Sequence, residues 1–400
     1  MTDSILSRAR GLQQQGNLDG ALQLLTTGLQ QAPASPDLLY FRAHLAIKMA
    51  RLDLAAQDLE RLLQNNPDNP QVLDDRGVLH QMQGHYMAAA ECHLKAAEQA
   101  PQNDAILLNL AIALNHLGQK EQAAALYHDV LQINPKNTRA MVNLGIMADD
   151  VGRYEEAVNY LSRAVNLGDT SFEVCMALGN ISRHLEQQDQ AVIWYGRAVA
   201  QQPGNESAQF MLAAARGDTP DTPPPSHVAG LFDSYADTFE TSLRDKLKYT
   251  GPERLFSLLE PVLQQIQQRF GPIKAIDLGA GTGLFGQLLR PHVAYCTAVD
   301  ISPKMLEKAQ ATGVYDCMIV GDAVQALRDL PAASVQLITA ADVLVYVGAL
   351  EALFTQVRRV LVNGGAWSFT VEALNEKELP PYRLRSTGRY AHDKDYIDAA

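Results

Sequence analysis

Two patterns of apolar positions divide the chain. Up to about residue 216, apolar residues recur at amphipathic-helix spacing, in runs that come two by two. From residue 273 the runs are short and strand-like, and each is followed by a helical stretch. In the first part alanine returns every 34 residues, at Ala21, Ala55, Ala89, Ala123, Ala157 and Ala191. Proline keeps the same period at Pro33, Pro67, Pro101, Pro135 and Pro203, and Gly168-Asp169 fills the gap. Glycine stands between the two apolar runs of a unit at Gly16, Gly84, Gly118 and Gly152. Each unit therefore reads as two helices. The alanine lets them approach closely, the glycine turns the chain between them, and the proline ends the second helix.

This pattern closely resembles the tetratricopeptide repeat. Gly77, Gly145 and Gly179 match the family's small residue in the first helix of a unit, and Ala9, Ala43 and Ala111 take that place in the other units. The sixth unit carries Glu186 where the turn glycine is expected. Ser207 to Ala215 reads as a helix capping the stack, which places a repeat domain at residues 1–216. A stacked array buries apolar faces that no single unit can bury, and it forms a concave groove. The resemblance implies a protein or peptide partner in that groove; the alternative is a scaffold that packs only on its neighbour. Asn109, Asn143 and Asn180 are the expected groove-lining amides.

Residues 217–226 hold Pro220 and the run Pro223-Pro224-Pro225, so they read as a stiff, extended linker. The second domain, 227–400, begins with an aromatic stripe of Phe232, Tyr235 and Phe239 at helical spacing. Pro252 to Gln268 then reads as a helix. Strands are predicted at 273–278, 295–299, 316–320, 335–339 and 366–371, with helices starting near Leu284, Pro303, Ala323 and Ala349. This alternation predicts a Rossmann-like parallel sheet, whose ligands sit at the carboxyl ends of the strands.

The chemistry gathers at those ends. The run Asp277-Leu278-Gly279-Ala280-Gly281-Thr282-Gly283 closes the first strand with a carboxylate and three alternate glycines. The letters Gly281-x-Gly283-x-x-Gly286 also fit the dinucleotide fingerprint, but there the first glycine directly follows the strand, and here that glycine is Gly279. The phase instead resembles the first motif of class I S-adenosylmethionine-dependent methyltransferases. A cationic sulfonium suits a nearby carboxylate, whereas a pyrophosphate does not. Asp300 closes the second strand and suits the two ribose hydroxyls of either cofactor class. Asp322 follows the third strand.

The resemblance implies further roles. Asp277, Gly279, Ala280, Gly281 and Gly283 surround the methionine part of S-adenosylmethionine. Asp300 takes the ribose and Ile301 flanks the adenine. Asp322 and Ala323 take the adenine edge, although Asp322 also fits a helix N-cap. Bacterial tetratricopeptide-repeat methyltransferases carry a similar Phe-Asp-x-Tyr-Ala-x-x-Phe segment, which implies a lid over the cofactor made by Tyr235 and Phe239. Leu243 to Tyr249 continue that lid. A plain core stripe is the alternative. The loop after the fourth strand borders the methyl group in such enzymes, which makes Asp342 and Tyr346 the candidate catalytic residues, with packing and capping equally available to them. Similar proteins also carry a Gly-Arg-Tyr-Ala-His segment, here Gly388 to His392, near the acceptor; His392 itself reads as an exposed loop residue. The class I sheet ends with two further strands for which this chain shows no segment.

Bulk properties narrow the reading. A net charge of −12 and the absence of Asn-Pro-Pro-Tyr and Pro-Cys signatures argue against a nucleic-acid substrate. The four cysteines, Cys92, Cys175, Cys296 and Cys317, have neither a metal-ligand spacing nor a C-x-x-C pairing, so no metal is expected and the thiols read as reduced. Met1-Thr2-Asp3-Ser4 does not resemble a signal peptide, and no apolar run is long enough to span a bilayer, so no membrane partner and a cytoplasmic location are expected. The expected protein is a methyltransferase that recruits its partner or substrate through repeats. The alternatives are a catalytically silent adaptor with the same two parts and an NAD-dependent oxidoreductase.

Overall fold

The computed structural model describes residues 2–236, 239, 250–374 and 381–399. The part of the expected lid at Leu243 to Tyr249 lies outside the described residues. Packing divides the chain into two compact units, Met1–Thr170 and Ser171–Ala400.

The first unit is made of antiparallel helix pairs: α1 (Thr2–Gln14) with α2 (Leu18–Gln31), α3 (Pro36–Lys48) with α4 (Leu52–Asn65), α5 (Pro70–Met82) with α6 (Tyr86–Gln99), α7 (Asp104–His116) with α8 (Lys120–Ile133), and α9 (Thr138–Asp150) with α10 (Tyr154–Asn166). The recurrent alanines are fully buried, as close helix approach requires. The small residue of the first helix answers a large one on the second. A Cβ added at Gly145 would stand 2.7 Å from Leu161, and one at Gly77 would run into the His93 ring. Asparagine side chains cap the next first helix at Asn69, Asn103 and Asn137. Such caps contribute about 0.5–2 kcal/mol each.

The turn within a pair needs a left-handed residue. Gly84, Gly118 and Gly152 supply it with φ of 76° each, and in the second pair Ala50 does so with φ 54°. Two of the expected groove amides also make bonds within the repeats. Asn109 Nδ2 donates to both oxygens of Asp74, which also accepts from buried His93. Asn143 Nδ2 folds back to the Arg139 carbonyl.

The second unit opens with the sixth pair, α11 (Phe172–His184) and α12 (Gln188–Gln201), followed by the capping helix α13 (Glu206–Arg216). Glu186 takes φ 57°, so this pair makes the same turn without glycine. Asn180 accepts from the Tyr195 hydroxyl through its amide oxygen. Next come α14 (Pro225–Tyr235) and α15 (Gly251–Phe270). The proline-rich segment between α13 and α14 is docked rather than a free spacer. Its Asp221 carbonyl accepts from Ala349 N–H at 2.8 Å, and its Pro220 carbonyl accepts from the Tyr390 hydroxyl at 2.7 Å.

The main sheet is parallel, with order β3-β2-β1-β4-β5. Its strands are β1 (Lys274–Leu278), β2 (Tyr295–Asp300), β3 (Cys317–Val320), β4 (Val335–Ala340) and β5 (Leu361–Phe369). Four helices intervene: α16 (Leu284–Leu289), α17 (Pro303–Thr312), α18 (Ala323–Arg328) and α19 (Glu351–Val360). β1 lies at the centre, and the strand order reverses between β1 and β4, which places the crevice over the ends of those two strands. Among the described residues no further strand joins this sheet. The chain after β5 instead forms a small second sheet of β6 (Glu372–Ala373), β8 (Tyr390–His392) and β7 (Tyr382–Leu384), followed by α20 (Lys394–Ala399). The expectation that His392 is an exposed loop residue is corrected here. It is buried in β8, and its Nε2–H donates to the carbonyls of Val347 and Gly348. No helix among the described residues is long and apolar enough to cross a membrane.

Candidate functional site

The loop after β1 turns through three left-handed glycines, with φ of 62° at Gly279, 56° at Gly281 and 92° at Gly283. Two of them differ in what surrounds them. A Cβ on Gly279 would run into Val343 of the loop after β4, so Gly279 allows two loops to pack. A Cβ on Gly281 would meet nothing closer than Phe239, 3.8 Å away, so this glycine leaves room above the loop. Ala280 is buried and donates its N–H to the Val299 carbonyl, which stitches the loop to the end of β2. The buried Thr282 hydroxyl has no hydrogen-bond partner within the described residues.

Asp277 is 1% exposed and faces inward. Its carboxylate accepts from the Tyr315 hydroxyl at 2.6 Å and from the Thr339 hydroxyl at 2.8 Å. Tyr315 reaches it across Gly286, where any Cβ would strike the phenol oxygen. Asp277 thus serves as a buried tie between β1, β4 and the chain entering β3. Burial pushes its pKa up to about 6, against the pull of the two hydroxyls. The folded state therefore binds a proton more tightly than the unfolded chain does. The stabilisation from that proton is full below the unfolded value and is lost as pH rises through about 6. Relative to an Asp277→Asn variant, the wild-type chain is expected to lose about 1–3 kcal/mol of stability between pH 4.5 and 7. Urea unfolding of both chains at the two pH values checks this, and parallel pH dependences would refute it.

Asp300 ends β2 at 7% exposure. One carboxylate oxygen accepts from Gly281 N–H at 2.8 Å and the other from Ser302 N–H at 2.9 Å. Burial raises its pKa, and these amide bonds, joined by that of Ile301, oppose the rise. A carboxylate has about four acceptor sites, so beside these amides at least one is left for a ligand. Ser302 caps α17 through its hydroxyl, which accepts from Met305 N–H and donates to Asp233 of α14 at 2.6 Å. Ile301 is half-buried beside it. Asp322 is exposed and caps α18, accepting from the Val324 and Gln325 N–H groups, with Ala323 half-buried beside it. The N-cap role expected for it is thus present.

The opposite wall is aromatic. Phe232 lies edge-on to Tyr346 at 5.1 Å and to Phe239 at 6.3 Å. Tyr235 is half exposed at the end of α14. Asp342 has φ 60°, an unusual conformation for a non-glycine residue. It is held there by its N–H, which donates to Thr370 at 2.7 Å, and by Arg389, whose guanidinium donates to its carboxylate at 2.8 Å. The same guanidinium lies 5.6 Å from the centre of the Tyr346 ring. Burial raises the Tyr346 pKa, so its phenol is a hydrogen-bond donor at neutral pH and not a ready base. Sequence patterns do not single out Arg389, Asp233, Tyr315 or Thr339. Two of them carry a signal there: Arg389 as the second residue of Gly388 to His392, and Asp233 as the acid of the Phe-Asp-x-Tyr-Ala-x-x-Phe segment.

Three comparisons bear on these parts. Residues 276–369 match the family model described as a methyltransferase domain. Residues 12–74, 75–138 and 121–181 match models of the tetratricopeptide repeat. Among curated proteins, the ubiquinone biosynthesis O-methyltransferase of Xylella fastidiosa is 31% identical over 83 residues, 20% of this chain and 34% of that protein. The protein of the same name from Xanthomonas oryzae pv. oryzae is 28% identical over 121 residues, 29% of this chain and 51% of that protein. The chain thus spans a third to a half of the length of these curated relatives. Among solved structures, pilF of Pseudomonas aeruginosa matches with TM-score 0.48 and 20% identity, covering 53% of this chain and 96% of that one. PilW, a type IV pilus biogenesis factor, matches with TM-score 0.48 and 18% identity, covering 52% and 97%.

Proposed function

Taking the chain as tetratricopeptide repeats joined to a methyltransferase domain, we propose that it transfers a methyl group from S-adenosylmethionine to a partner recruited by the repeats. The observation that carries this reading is the tie between Gly281 N–H and the buried Asp300 carboxylate, which joins an open glycine loop to an acceptor with capacity left for a ligand. The residues fit the cofactor. Asp300 suits a pair of ribose hydroxyls, with Ile301 beside them. The unpartnered Thr282 hydroxyl and the space over Gly281 suit a ligand against the loop of Gly279, Ala280, Gly281 and Gly283. Asp322 and Ala323 suit the adenine edge, and Tyr235 and Phe239 cover the loop.

Bound S-adenosylmethionine supplies a methyl already activated on sulfur. The work left to the chain is alignment, exclusion of water and handling of the acceptor's proton. Asp277 acts by rigidity, because its buried carboxylate is tied to the Tyr315 and Thr339 hydroxyls. Phe232, Tyr346 and Phe239 keep water out. Asp342 and Tyr346 orient the acceptor. Since Asp342 is paired with Arg389, an acceptor already deprotonated or easily deprotonated suits this wall best. The curated relatives are named O-methyltransferases, so an oxygen acceptor is the first to test.

On the repeat side, a groove of about 640 Å³ runs between α1 and α3 and is lined by Arg10, Asp37, Tyr40, Phe41 and His44 among others. Such an aromatic and charged lining suits a peptide. Calorimetry of the full chain with S-adenosylhomocysteine and with NAD tests the cofactor. Binding of the first alone is expected, and binding of NAD alone would overturn the reading. Incubation with labelled donor and cell extract then separates a transferase from a silent adaptor, because only the transferase labels a recipient.

A further inference from the structure

We propose that Arg389 is a positioning residue for the loop Asp342–Tyr346, and that it is held in place by the capping helix and the proline-rich strap. This rests on the reading that the loop borders the site of methyl transfer. The loop needs outside support. Asp342 is left-handed, a conformation that costs a non-glycine residue about 1–3 kcal/mol. The Arg389 guanidinium meets that need from three sides. It pairs with Asp342 at 2.8 Å, approaches Glu372 at 3.4 Å and stacks over Tyr346.

Arg389 is itself fixed by its neighbours in the chain. The turn before it is closed by Arg385 N–H donating to the Arg389 carbonyl and Gly388 N–H donating to the Arg385 carbonyl. Directly after it, β8 is buried throughout. Tyr390 and Leu384 share one apolar core with Tyr195 of α12 and with Phe210, Met211 and Ala214 of α13. The Tyr390 hydroxyl donates to the Pro220 carbonyl of the strap, and the Tyr382 hydroxyl donates to Asp221 at 2.6 Å. Gly348 makes room for this arrangement, because a Cβ there would strike the Asp221 carbonyl and stand 2.6 Å from the Tyr390 ring. His392 ties the far end of β8 to Val347 and Gly348, just past the loop. A continuous series of contacts therefore runs from α13 and the strap through Tyr390 and Arg389 to Asp342 and Tyr346. The last helices of the repeat series are thus part of the scaffold of the transfer site.

The test is amide hydrogen exchange on the full chain, read by mass spectrometry. Arg389→Ala is expected to speed exchange across residues 342–347 by about tenfold or more, with exchange in β1 to β4 unchanged. Arg389→Lys retains the ion pair and is expected to stay within about threefold of wild type there. Tyr390→Phe removes only the bond to Pro220 and is expected to speed exchange both in residues 219–222 and in residues 342–347. Unchanged exchange at 342–347 in Arg389→Ala, or a lysine variant as fast as the alanine one, would overturn the positioning role. Acceleration confined to residues 219–222 in Tyr390→Phe would overturn the relay from the strap. S-adenosylhomocysteine affinity is expected to stay within about threefold in the lysine and phenylalanine variants. The exchange measurement needs no cofactor, so a wild-type chain that bound no S-adenosylhomocysteine would remove the transfer reading while these outcomes still decided the role of Arg389.

Discussion

Replacing Asp300 by alanine is expected to weaken S-adenosylhomocysteine binding by about 100-fold or more. A hydrogen bond to a charged group contributes about 1.5–3 kcal/mol, so one ligand hydroxyl on this carboxylate accounts for up to about 100-fold. Its neighbours Gly281 and Ser302 turn their N–H groups to Asp300, and the nearby Asp233 carboxylate is engaged by the Ser302 hydroxyl. The alanine variant also frees those two donors, which loosens the glycine loop and adds to the loss. Asp300→Asn separates the contributions, because an amide keeps one acceptor oxygen and the shape of the side chain. Its binding is expected to fall between those of the wild-type and alanine chains. Calorimetry, with circular dichroism to confirm the fold, reads all three. Affinity within about threefold of wild type in the alanine variant would show that the nucleoside lies elsewhere.

The second large effect is on stability. Tyr390→Ala is expected to cost about 3–5 kcal/mol, the range for truncating a fully buried aromatic side chain. Tyr390 is completely buried and shares its core with α12 and α13, and its hydroxyl satisfies the Pro220 carbonyl. Tyr390→Phe keeps the ring and is expected to cost about 1 kcal/mol, the worth of one hydrogen bond. Denaturant unfolding of the full chain, followed by a probe in the main sheet, measures both. A loss below about 1 kcal/mol for the alanine variant would mean that β8 is not part of a cooperative core.

Much of this is legible in the chain. Buried alanines at a fixed period require close helix approach at each recurrence, and glycines between the runs require left-handed turns. Both follow from local sterics. Ala50 and Glu186 take the same left-handed φ without glycine, because packing of the flanking helices sets the turn and its cost is tolerated. The parallel sheet and the acids at its strand ends are legible because strand, turn and helix are local patterns. The partners of the repeat asparagines are not legible: Asn109 donates to Asp74 and Asn180 accepts from Tyr195, each distant in sequence. The inward partners of Asp277 are not legible from its position at the strand end. Which way a carboxylate at a strand end turns depends on its partners, and those come from Tyr315 and Thr339, 38 and 62 residues away.

The sequence by itself determined the repeat register, the two-part architecture, the glycine loop and the order of acids along the sheet, since each is a matter of periodicity and backbone sterics over a few residues. Only the tertiary structure decided that the proline-rich segment docks, that His392 and Tyr390 are buried, and that Arg389 reaches Asp342. Those outcomes turn on hydrogen bonds that span up to 170 residues of chain, as Tyr390 to Pro220 does. No local pattern carries them, because whether a polar side chain is buried depends on which distant partner arrives to satisfy it.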